Sequence, residues 1–355
     1  MNASDKVKIG QFTLKNRITM APTVKFDYTD ETGNVTDKYI EHYRKRALGG
    51  FGLICVEATA VLPGGRFGKN HMGLWADSQI DGHKAITTAC HDAGAIAIIQ
   101  LNHVGVSANP ECGPSVGPST LELEGYKGKY ISHGMDRGEL MDMQKAYIKA
   151  AVRAREAGYD GVQLHACHGY LLNQFISVNH NKRDDEYGGT ASNRARFTSE
   201  IIKEIRFECG NDFLISARTT GLEPTLADGI TVAEKYLDSG CDYLQVSTGM
   251  TDLNVLAPYK DEMIDAVRSL GIRFKDYFKD TAVISCVGGI NSAEMVNHIL
   301  QNNMCDTVDI GRAALADPSF AAHVLNNEPI KKCFGCPNCQ YGPFTKHNCP
   351  AGGGI

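Results

Sequence analysis

The sequence is poor in the features that would carry a protein to nucleic acid or into a membrane. Lysine and arginine total 36 against 41 aspartates and glutamates, a formal net charge of -5 over 355 residues. That balance offers no basic field to recruit a polyanion. No apolar run approaches the ~20 residues needed to span a bilayer. Nothing at the N-terminus resembles a basic stretch followed by an apolar one. These absences predict a cytoplasmic protein with a small-molecule partner, no nucleic acid and no membrane. A G-x-G-x-x-G fingerprint is also missing, which excludes a separate Rossmann unit. Cysteine is not scarce, but its placement excludes a disulfide framework. Of twelve, eight stand singly between Cys55 and Cys305, as in a reducing compartment, and four crowd the tail like metal ligands.

What is present is a rhythm. Short apolar β-type runs alternate with longer amphipathic segments, the signature of repeated βα units around a parallel sheet. Eight runs stand out: Arg17 to Ala21, Gly52 to Ala60, Ala95 to His103, Asp160 to Ala166, Leu214 to Thr220, Tyr243 to Thr248, Ala282 to Gly288 and Thr307 to Gly311. Eight closes a barrel, so the expected fold is α/β, a (β/α)8 TIM barrel over residues 1–328 with a short cysteine-rich appendage over 329–355. Met143 to Ala157 reads as a helix ending before Gly158, and Thr231-x-x-Glu234 reads as the capping box of another. Ser107 to Asp136 breaks the rhythm with Gly, Pro and Ser. It reads as an extended loop or small excursion over the mouth that shapes the pocket.

Barrels keep their chemistry at the C-terminal ends of their strands. Val287-Gly288-Gly289-Ile290 closes the seventh run and Ile310-Gly311-Arg312 the eighth. Glycines there let backbone N–H groups approach phosphate oxygens, and an arginine adds a charged fork. Gly288, Gly289, Gly311 and Arg312 therefore predict a phosphorylated cofactor or substrate. The fourth run delivers His165, with His168 and Tyr170 just beyond. Positions three apart on an extended strand face opposite sides, so the imidazoles converge only if the strand ends near Ala166. Reading His165, Cys167 and His168 as metal ligands needs at least one more converging ligand than the local sequence offers.

A series of landmarks runs through the chain in order. They are Leu14-Lys15-Asn16-Arg17-Ile18 leading into Met20-Ala21-Pro22, His42-Tyr43 with Gly49-Gly50, Val56-Glu57-Ala58-Thr59, Gln100-Leu101-Asn102-His103, the His165 to Tyr170 segment, Arg183 to Gly189, and the two glycine sites. Together they resemble the old yellow enzyme family of NADH:flavin oxidoreductases, the FMN-dependent ene-reductases, from Gly10 to about Phe320. The resemblance implies FMN across the barrel mouth with its phosphate at Gly288, Gly289, Gly311 and Arg312. Pro22, Thr23 and Ala58 would line the isoalloxazine, while Gln100 and Arg218 would meet its pyrimidine edge. His165 and His168 would bind the oxygen of an α,β-unsaturated carbonyl compound, and Tyr170 would donate the proton. NADH or NADPH would serve as a transient hydride donor at the same open face, in agreement with the missing Rossmann unit. Two positions depart from the pattern. Val24 stands where members often place a threonine or cysteine that tunes the flavin, and Phe26 where one branch has a substrate-facing tyrosine. Asp184, Asp185, Glu186 and Tyr187 read as a loop ion-pair network.

Cys333, Cys336, Cys339 and Cys349 form a C-x2-C-x2-C-x9-C array, similar to that of dienoyl-CoA reductase-like members and trimethylamine dehydrogenase. It is compatible with a [4Fe-4S] cluster or zinc, since both take soft sulfur ligands, and with a metal-free remnant of such a site. The spacing to Cys349 looks shorter than in those relatives, and no nucleotide-binding domain follows it up to Ile355. Other readings are an amine dehydrogenase or N-demethylase on the same fold, a barrel for aldol or lyase chemistry, and a redox-responsive binding protein. An amine should prefer aromatic or carboxylate contacts to two hydrogen-bond donors, and lyase chemistry lacks its strand-end lysine or metal-carboxylate set. Homo-oligomerisation is compatible with the sequence.

Overall fold

The computed structural model describes all residues except 27, 126–127, 338, 340–348 and 352–355. Among the described residues thirteen strands follow in chain order: β1 (Val7–Ile9), β2 (Phe12–Leu14), β3 (Ile18–Met20), β4 (Leu53–Ala60), β5 (Ile96–Asn102), β6 (Val116–Gly117), β7 (Leu121–Gly125), β8 (Gly128–Gly134), β9 (Gly161–Ala166), β10 (Leu214–Thr220), β11 (Tyr243–Ser247), β12 (Val283–Val287) and β13 (Thr307–Ile310). Eight of them close a TIM barrel in the order β10-β11-β12-β13-β3-β4-β5-β9. Every pair around it is parallel, and the seam is closed by Ile310 beside Met20 and Met20 beside Ile54. These are the eight runs read from the sequence, each strand falling within a residue of the expected bounds.

The strands are buried over nearly their whole length because each faces a packed interior on one side and helices on the other. Outward residues such as Ile54, Val162 and Leu164 join the main apolar core with the helices. The inner face is polar: Gln100 Nε2 donates to Gln163 Oε1 at 2.8 Å, and Gln163 Nε2 donates to Ser216 Oγ at 3.1 Å. The antiparallel hairpin β1–β2 packs on the opening ends of the strands, with Val7, Ile9 and Leu14 against Leu53, Leu214 and Tyr243. One end of the barrel is thereby plugged, and access is left to the other.

Three expectations need correction. The helix read from Met143 begins earlier, spanning Arg137–Glu156, because Asp136 caps it: its carboxylate accepts from Glu139 N at 2.9 Å while Glu139 accepts from Asp136 N at 2.8 Å. The helix expected to open at Thr231 spans Leu226–Asp238, capped by the Thr225 hydroxyl, which accepts from Asp228 N. The Thr231-x-x-Glu234 pattern lies in its interior. The stretch from Ser107 to Asp136 is more than a loop, since β6, β8 and β7 form a three-stranded sheet there. In the tail, Ile330 and Cys333 pack on the barrel's core, and its described residues form no helix or strand. Among the described residues, no helix is long and apolar enough to cross a membrane.

Candidate active site at the open mouth of the barrel

β9 ends at Ala166, the condition for the two imidazoles to meet. The chain then turns sharply, with His168 at φ 62° and Gly169 at φ 78°. Left-handed backbone is costly for a histidine and common at functional turns. The turn is held by His168 N donating to Thr248 O at 3.1 Å and Gly169 N to Asn173 Oδ1 at 2.8 Å. It brings His168 Nδ1 to 3.0 Å from His165 Nε2, while His168 Nε2 lies 2.9 Å from Ser247 Oγ. Burial, aided by the charges of the other histidine and Arg218, holds His165 well below its usual range. Burial, then Arg218, lowers His168 to about 3. Both rings are therefore neutral near pH 7.

Tyr170 packs its ring edge-on against His165 at 5.0 Å and against Phe67 at 4.9 Å. Burial raises its phenol above the ordinary value of 10.0. Phe26 joins this aromatic row through Phe67, 6.5 Å away. Phe67 was not legible in the sequence, as it sits on a connecting segment without a motif.

Beside the histidines lies a cavity of about 260 Å³ lined by Pro22, Thr23, Arg218, Gly288, Gly289, Gly311 and Arg312, along with Ser247 and Asp309. Ser247 thus belongs both to the cavity and to the histidine network. Gly288 has φ 125°, and a Cβ there would come within 2.9 Å of Val267 Cγ1. Gly289 has φ 62°, whereas a Cβ on Gly311 would meet open space. Arg268 Nη1 donates to Gly288 O at 2.6 Å, pinning the loop. Arg218 is 9% exposed, and its Nε is buried without a hydrogen-bond partner. An unpaired guanidinium N–H beside a glycine-lined hollow is a fit for an anionic, hydrogen-bonding group such as FMN.

Gln100 and Ala58 stand on neighbouring strands rather than on this cavity's lining. β4 shifts register against β5 between Val56 and Thr59, so Glu57 and Ala58 form an irregular step at the mouth. Ala58 O accepts from His71 Nε2 at 2.6 Å. Under the step, Glu57 accepts from Lys25 N at 2.7 Å and from Tyr43 OH at 3.0 Å, tying down the loop that carries Pro22 and Thr23. Burial raises the Glu57 carboxyl to about 8 and lowers Lys25 to about 7.

The acidic run after Arg183 is held in ion pairs and hydrogen bonds: Arg183 pairs with Asp185 at 2.5 Å, Arg137 with Glu186 at 3.0 Å, and Tyr187 OH donates to Glu200. All twelve cysteines are free thiols. Cys333 reaches the cavity's edge. Among the described residues, one group of three or more histidine, cysteine or carboxylate donors gathers within 4.8 Å, and it is His165, Cys167 and His168. Cys333, Cys336, Cys339 and Cys349 are not so gathered, and as placed they do not form a metal cage.

Residues 6–330 match the family described as NADH:flavin oxidoreductase / NADH oxidase. The chain is 34% identical over 333 residues to an NADPH dehydrogenase of Bacillus subtilis, covering 91% of this chain and 94% of that protein. An NADPH dehydrogenase of Bacillus licheniformis is 34% identical over 327 residues, covering 89% and 92%. Among solved structures, an old yellow enzyme homologue from Zymomonas mobilis superposes with a TM-score of 0.81 at 27% identity, over 94% of this chain and 95% of that one. 2-Naphthoyl-CoA reductase, in complex with 2-naphthoyl-CoA, gives 0.84 at 27% identity; this chain is 94% covered but spans only 54% of that one. Morphinone reductase in complex with tetrahydroNAD shares the fold, with a TM-score of 0.79. With barrel, glycine-lined cavity and histidine turn in place and the match running almost end to end, the chain belongs to the NADH:flavin oxidoreductase / NADH oxidase family, the old yellow enzymes.

Proposed function

We propose that this protein is an FMN-dependent ene-reductase, reducing the activated C=C bond of α,β-unsaturated carbonyl compounds at the expense of NADH or NADPH. The observation that carries this reading is the shared Ser247, which joins a paired-imidazole turn to a cavity suited to a phosphorylated, hydrogen-bonding cofactor. When bound, FMN supplies the hydride relay between nicotinamide and alkene.

The chain's own residues would do the rest. Gly288, Gly289, Gly311 and Arg312 would hold the phosphate, with Pro22, Thr23 and Ala58 along the ring and Gln100 and Arg218 at its pyrimidine edge. The positive charge of Arg218 would stabilise negative charge gathering there. His165 and His168 would donate to the substrate's carbonyl oxygen, drawing electron density from the alkene and leaving its β-carbon electrophilic. Their neutrality suits this role, because each ring keeps one N–H to give without competing for a proton from water. Tyr170, protonated throughout the physiological range, would deliver the proton to the α-carbon. Phe26 and Phe67 would wall the pocket. On spacing alone, since the structure does not gather them, we also propose that Cys333, Cys336, Cys339 and Cys349 draw together around a metal, to be read by metal analysis of the purified protein.

The experiment is an anaerobic titration of FMN-loaded protein. NADPH should bleach the flavin absorption and 2-cyclohexenone should restore it. A protein that takes up no FMN, or is bleached by methylated amines and not restored by the enone, contradicts the reading.

A further inference from the structure

We propose that His165, Cys167 and His168 form an inhibitory site for a borderline-soft divalent cation such as zinc, which occupies the place of the substrate's oxygen. The sequence offers two imidazoles and a thiol in four residues, one ligand short of a closed tetrahedral set. The fold brings the three donor atoms within 4.8 Å of one another. Three protein ligands with a fourth position open is the arrangement of exchangeable zinc sites, where water or a substrate oxygen completes the coordination. Imidazole nitrogen and thiolate sulfur are the ligands zinc prefers over harder cations.

The local chemistry permits loading. Each imidazole offers one ring nitrogen within reach of the other two donor atoms. Cys167 is a free thiol. Binding breaks its S–H bond, forms a metal–sulfur bond and releases one proton to solvent. The resulting thiolate offsets one of the two charges brought in beside Arg218. The left-handed turn at His168 also serves the site, for it folds that ring back over the strand end. His168 is only partly buried and lies on the open mouth, giving the ion a way in.

Competition with substrate rests on the ene-reductase reading; the metal site itself does not. The test uses the FMN-loaded full chain with Zn2+ and Co2+ as probes. Zinc should inhibit competitively with 2-cyclohexenone. Cys167→Ser should weaken that inhibition by at least about tenfold, the scale seen when even outer partners of a metal site are lost, while turnover without zinc is retained. Cobalt should give a sulfur-to-metal charge-transfer band that Cys167→Ser removes and Cys336→Ser keeps. Cys167→Ala, which leaves no polar side-chain atom at that position, replaces serine if that variant fails to hold FMN. Equal inhibition of wild type and the Cys167 variants, or a cobalt band that depends on Cys336 and not on Cys167, overturns the proposal. A band that depends on Cys167 while zinc fails to compete with enone upholds the metal site and instead contradicts the carbonyl role of the histidines.

Discussion

At the scale of single residues, the proposed function has the histidine pair and Tyr170 divide the labour by protonation state. Burial lowers the imidazoles and raises the phenol, so around pH 7 the former are neutral donors and the latter an intact acid. Tyr170→Phe is expected to slow the step in which enone restores the flavin absorption by roughly 10²–10⁴, the usual worth of a positioned general acid. Bleaching by NADPH should be little changed. Stopped-flow measurement of the two half-reactions checks this, and equal slowing of both would assign Tyr170 to binding instead. His165, His168 and Tyr170 could be read from the sequence because a strand end exposes its polar residues to the mouth. Phe67 and Ser247 could not: one sits in an unpatterned connection, and the other looks like any strand-terminal serine.

At the scale of elements, the strands were legible because both of their faces are buried, which makes short apolar runs bounded by Gly, Asp and Asn. Helix starts were less so. Thr225 and Thr231 both precede acidic residues at capping distance, and only backbone continuity decides that the first is the cap. The β6–β8–β7 sheet escaped because β6 is only two residues long and the Leu-Glu-Leu-Glu alternation of β7 is brief and set among Gly, Pro and Ser, outside the βα rhythm. The loop after β12 lines the cavity proposed to hold the cofactor. Gly288 adopts φ 125°, and a Cβ there would crowd Val267. Gly288→Ala should therefore strain the loop by about 1–3 kcal/mol and weaken FMN binding about tenfold or more, at 1.4 kcal/mol per tenfold. A fluorescence titration of the apoprotein with FMN reads this directly; unchanged affinity would show that the loop does not hold the phosphate.

At the scale of the whole molecule, the barrel buries many ionisable groups, and their sum should appear in its pH stability. Burial holds His71, His83 and His103 near 4 in the folded protein against 6.5 when exposed. Below about pH 6.5 the unfolded chain therefore binds more protons than the folded one, and stability falls as pH drops towards 4. The urea midpoint should be lower at pH 5 than at pH 7, and an equal or higher value at pH 5 would contradict the buried, neutral state of these rings. The same closed architecture, plugged at one end by the β1–β2 hairpin, confines exchange with solvent to the histidine end.

The central claim is that paired imidazoles polarise an incoming alkene at that end. The most direct measurement is the anaerobic rate at which 2-cyclohexenone restores the flavin absorption in His165→Ala compared with the unaltered chain, both loaded with FMN. Loss of one preorganised donor should lower that rate by about 10²–10³. An unaltered rate would contradict the account.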